Sequence, residues 1–155
     1  RGHTVATDNA RPGARPVTIN DFPLLLKFDR EVFGASRQSV LEWNFKGAPQ
    51  YAFMVEEQGR MQGFCLGRHG FDFDQIGPII ANDANTAMQL LSKALHQAVD
   101  KPIVVDILTH TNEWVAFVSS LGFIELRQLM RMYRGSNNYP GVPAKQFAIL
   151  GPEFG

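Results

Sequence analysis

Apolar positions recur along the chain in two rhythms, and each rhythm predicts an element. Leu25, Phe28, Val32 and Phe33 return at helical spacing. Asn20 or Asp21 can cap that helix, Pro23 suits its first turn and Gly34 ends it. Ser36 can cap a second helix with Val40, Leu41 and Trp43 on its apolar side, broken at Gly47-Ala48-Pro49. The rhythm then changes to two. Residues 51–56 and 61–68 read as a hairpin around a turn at 57–60, and a third strand spans 72–80. Residues 83–100 give the clearest helix, in which Ala87, Leu90, Leu91, Ala94, Leu95 and Ala98 form one stripe. Residues 102–108 are a short β-branched strand suited to a central place. Thr111 or Asn112 opens a helix through Leu121, closed by Gly122. A last long strand is expected over 123–133 and a short one over 146–150. This order, α-α-β-β-β-α-β-α-β-β, predicts an α/β (α+β) domain. Its sheet is mixed, with antiparallel strands first and two helical crossovers after.

Composition narrows the function classes. The chain has 155 residues, 45% of them hydrophobic and 19% charged, which suits one globular domain. Lys+Arg and Asp+Glu are both 15, so the net charge gives no reason to expect nucleic acid or an anionic membrane surface as partner. No apolar run has a membrane helix's length of about 20 residues, and the start shows no signal-peptide pattern. Cys65, the single cysteine, lies in GFCLG and reads as an inert core thiol. A cytoplasmic location is the expectation. His3, His69 and His96 have no metal-ligand spacing, so no metal is expected. Residues 1–15, polar and holding Pro and Gly, are expected to be a linker or flexible tail, with a single domain over 16–155.

Three segments carry a family resemblance: the hairpin AFMVEEQGRMQGFCLGR, the strand-loop-helix QIGPIIANDANTAMQLLSKAL, and the helix and turn NEWVAFVSSLGFIE. In this order and spacing they resemble the GNAT (Gcn5-related N-acetyltransferase) superfamily, over roughly residues 16–133. The tail further resembles the C-terminal domain of two-domain bacterial GNAT proteins. The resemblance implies a sheet with a splayed parallel pair and helices on both faces. It implies acetyl-CoA as acyl donor and a small amine as acceptor, with direct transfer in a ternary complex. A second GNAT domain or a homodimer is the partner it suggests.

The resemblance also places a donor site. A pantetheine arm would pair with free strand backbone at Ile79, Ile80 and Ala81, and the pyrophosphate would meet the helix start at Asn82, Asn85, Thr86 and Ala87. The family's glycine-bearing loop is largely missing, since only Ala87 conforms, and Asp83 puts a negative charge where an anion is expected. The family's tyrosine, a proton donor to the leaving thiolate, is Val118 here; Tyr133 and Tyr139 are the substitutes the sequence offers.

Acceptor chemistry needs a base and a place for a cation. Asp72 and Asp74 alternate on the third strand and are expected to point the same way. Asp106 ends a central strand, where open α/β sheets collect ligands, and His110 lies just beyond it. Trp114 reads as core or pocket wall, and Glu113 as first-turn charge. A non-catalytic GNAT-like domain that binds a ligand or partner is the alternative, favoured by the eroded loop and by Val118.

Overall fold

The computed structural model describes residues 13–98 and 101–154. The expected linker therefore lies outside the described residues up to residue 12; the helix expected to reach residue 100 instead ends at Leu95, residues 96–98 turn away from it, and 99–100 lie outside the described residues.

A short strand, β1 (Arg15–Pro16), precedes two helices, α1 (Phe22–Phe33) and α2 (Gln38–Gly47). The hairpin follows as β2 (Phe53–Glu57) and β3 (Arg60–Arg68). Its turn residues Gln58 and Gly59 both take positive φ, 51° and 73°, the geometry a two-residue hairpin turn requires. Next come β4 (Asp74–Ala81), α3 (Ala84–Leu95), β5 (Ile103–Val104), α4 (Asn112–Ser120) and β6 (Gln146–Ala148).

The sheet runs β1-β2-β3-β4-β5, antiparallel except for the parallel pair β4 and β5. Alternation along the strands divides the core in two. Val55, Cys65, Ile76, Ile79 and Ala81 face α3 and α4, meeting Ala87, Leu90, Leu91, Trp114 and Val118. Met54, Phe64, Leu66 and Ile80 face α1 and α2, meeting Phe22, Leu25, Val32 and Leu41. The mixed sheet with helices on both faces thus has the architecture expected of the sequence. Between α1 and α2, the Arg37 guanidinium donates to both oxygens of the buried Asp29 carboxylate, at 2.8 and 3.0 Å, and lies 4.0 Å above the Phe33 ring.

Four local expectations are corrected. Residues 123–133 form no strand. Ile124, Met130 and Met132 alternate as a strand would, yet stand 79, 85 and 84% exposed with no partner strand beside them among the described residues. The expected strand over 102–108 is regular only at Ile103–Val104, because it then veers from β4. β4 begins at Asp74, so Asp72 lies in the exposed turn before it and does not pair with Asp74. Trp43 is 54% exposed rather than on the buried side of α2, and its ring meets Phe154.

Candidate functional site

The parallel pair is joined only at its start, through Asp74–Ile103 and Gln75–Val104. Beyond that the two strands diverge, and β6 fills the opening. On one side it pairs antiparallel with β4, Ile79 with Ala148 and Ile80 with Gln146. On the other it pairs with the continuation of β5: Leu108 N–H donates to Phe147 O at 3.0 Å and Ile149 N–H to Asp106 O at 2.9 Å. Phe147 and Ala148 are core residues, and the Trp114 indole N–H donates to Phe147 O at 3.0 Å. Trp114, expected as core or pocket wall, is fully buried and anchors this strand.

The donor residues suggested by sequence are consequently engaged with the chain itself. Ile79 and Ile80 carry β6 on the edge away from β3. Ala81 is buried against β3, and Asn82 extends that pairing, its N–H donating to Gln62 O at 2.8 Å. At the start of α3, Asp83 caps the helix by accepting from Thr86 N–H at 2.8 Å. Asn85 is exposed, while Thr86 and Ala87 are buried. As folded, β6 occupies the Ile79–Ile80 edge and a carboxylate caps the helix start, and both oppose a coenzyme A molecule until β6 moves aside.

The four catalytic candidates do not converge. Asp74 is fully buried on the α3 face. It accepts from Tyr51 Oη at 2.7 Å, His69 Nδ1 at 2.8 Å and Gly70 N–H at 3.3 Å, with Lys101 Nζ at 3.4 Å. Burial alone would raise its pKa, but the Tyr51 and His69 bonds outweigh burial and hold it below the usual aspartate range. The Tyr51 hydroxyl is pushed up to about 12, by burial first and then by Asp74. His110 is exposed and packs its ring on Phe147 at 4.9 Å. Tyr133 stands 69% exposed in the unpaired segment.

Asp106 is the candidate that faces a cavity. A cleft of about 510 Å³ is lined by Arg68, Phe73, Gln75, Val104, Asp106, Arg127, Pro152 and Glu153. Its floor is a relay: Arg68 Nε and a terminal guanidinium nitrogen donate to Gln75 Oε1 at 2.8 and 2.6 Å, and Gln75 Nε2 donates to Asp106 Oδ2 at 2.6 Å. Arg68 also pairs with Glu153. Burial raises the Asp106 pKa, an effect that Arg127 and Arg68 partly offset. Sequence reading missed Arg68, Gln75, Arg127 and Glu153, which lie far apart in the chain. The one available signal was the period of two that sets Gln75 on the opposite face from Asp74.

The GNAT acetyltransferase domain model matches residues 25–148. Holothin acyltransferase of Pseudoalteromonas sp. (strain SANK 73390) is 25% identical over 148 residues, which are 95% of this chain and 50% of that protein. The chain therefore spans about half the length of this curated relative. An acetyltransferase-designated protein from Pyrococcus horikoshii superposes with a TM-score of 0.70 at 22% identity, over 95% of this chain and 47% of that one. The TTHA1254 protein of Thermus thermophilus gives a TM-score of 0.58 at 16% identity, over 80% of this chain and 98% of that one. At these identities the two solved structures establish a common fold.

Proposed function

The chain belongs to the GNAT acetyltransferase family, and on that premise we propose that it serves N-acyl transfer, with acetyl-CoA as donor and a small amine as acceptor. The acyltransferase relative supports the reaction class. The observation that carries the reading in this chain is Asp106 in its cleft. A carboxylate whose proton affinity is raised by burial accepts a proton from a bound ammonium more readily than an ordinary aspartate, and leaves the amine nucleophilic. Gln75 holds that carboxylate in place.

The reading requires β6 to leave the edge of β4, because Ile79 and Ile80 are paired to it. Exposing Phe147 alone would cost about 2–3 kcal/mol. That weakens donor binding by roughly 30- to 150-fold against a chain whose edge is open. Asp74 is proposed to steady the β3–β4 turn rather than to act as base, since its hydrogen-bond partners among the described residues are all donors within the fold.

A second reading has its own observation. The closed edge, the Asp83 cap and Val118 together favour a GNAT-shaped domain that binds a small ligand in the cleft, or a partner domain, without donor chemistry of its own. Calorimetric titration with acetyl-CoA, with desulfo-CoA as size control, separates the two. Saturable binding, followed by mass-spectrometric detection of an acetylated amine that Asp106→Asn abolishes, supports the transferase. A folded protein that binds neither nucleotide supports the second reading.

A further inference from the structure

The cleft contains two guanidiniums and two carboxylates, and they are not equally engaged. Arg68 and Glu153 pair with each other, and Arg68 also gives two hydrogen bonds to Gln75. Arg127 lines the same space and its charge acts on Asp106 and Glu153, but it makes no hydrogen bond to the described residues. Asp106 receives one bond, from Gln75, and a carboxylate has capacity for several. Gln75 itself is buried, so its amide is fixed and so is the carboxylate it holds. One cation and one anion with unused capacity therefore face a common cavity, beside the apolar side chains of Phe73, Val104 and Pro152.

We propose that this cleft binds a small zwitterion, an α-amino acid with an uncharged side chain, its carboxylate on Arg127 and its ammonium on Asp106. The inference rests on the reading of the cleft as the acceptor site and names the class of acceptor. A ligand with only an ammonium takes Asp106 and leaves Arg127 without a counter-charge, and one with only a carboxylate takes Arg127 and leaves Asp106 so. A ligand with both satisfies each charge, and the apolar wall takes the side chain.

The experiment titrates the protein with glycine, L-alanine, L-leucine and L-phenylalanine by two-dimensional amide NMR. It then uses the matched amine and the matched acid of the tightest binder. The amino acid should bind saturably, and each one-charge counterpart about tenfold or more weaker. Arg127→Ala should remove the preference over the matched amine, and Asp106→Asn the preference over the matched acid. Binding should weaken as pH falls through the raised titration range of Asp106, facing Arg127, Arg68 and Glu153, and Asp106→Asn should abolish that dependence. Saturation by none of the four amino acids, or equal affinity for the one-charge counterparts, overturns the assignment. Amino-acid binding of this pattern without acetyl transfer keeps the cleft and sinks the transferase reading. Acetylation of plain amines as fast as of amino acids does the reverse.

Discussion

Asp74 shows how one buried side chain can look catalytic in sequence and act as a fastener in the fold. Removing its carboxylate takes the acceptor from the Gly70 N–H and one partner each from Tyr51, His69 and Lys101. Asp74→Ala should therefore cost about 3 kcal/mol, read as a lower urea midpoint. Its folded-state pKa is depressed, so its contribution is complete above the unfolded aspartate value and fades as pH falls through the folded one. Asp74→Asn should accordingly flatten the acid limb of stability against pH. Cys65 makes a simpler case. Its thiol is fully buried, and burial pushes its pKa up to about 12. A thiol reagent such as dithionitrobenzoate should label it only in denaturant. The sequence context GFCLG was enough to foresee that inertness. The neighbours of Asp74 were not foreseeable, because Tyr51, His69 and Lys101 meet only after three strands have paired.

Among the elements, β6 decides most. Phe147→Ala should lower stability by about 3–5 kcal/mol, the usual cost of emptying an aromatic core position. If the donor edge is to open at all, this change should also tighten acetyl-CoA binding, and calorimetry on the still-folded fraction would show it. A loss of stability with no gain in binding counts for the second reading. The α1–α2 connection offers a parallel test, since Asp29→Ala leaves Arg37 uncompensated in a buried setting and should cost about 3 kcal/mol by thermal or urea unfolding. Helices and hairpin were legible because their periodicities are local. The final strands were not. Residues 123–133 have better strand alternation than β6, yet β6 takes the sheet position, because pairing depends on an edge and a hydrophobic layer elsewhere in the chain. The Ile79–Ala87 frame was legible as a strand, loop and helix, while its occupation by the chain's own backbone had no local sign.

For the whole molecule, the family and the two-layered helical cover follow from element order. The segment from Ile124 to Met132, whose apolar side chains are exposed and which pairs with no strand among the described residues, is the main departure. Because these side chains touch little of the core, Ile124→Thr, Met130→Thr and Met132→Thr together should leave the melting temperature nearly unchanged. They should reduce any concentration-dependent association seen by sedimentation velocity. The closing of the sheet by β6 also sets an order on biosynthesis. Strands β1 to β5 and helices α1 to α4 are made before residue 146 exists, so a nascent chain holds Ile79 and Ile80 with an open edge throughout that interval. An open edge beside a buried layer is what chaperones and stray strands recognise. Ribosome-stalled chains should thus differ sharply in protease resistance according to whether Gln146–Ala148 is still inside the exit tunnel or has been carried out of it by an added C-terminal linker, with the edge sealed only in the second.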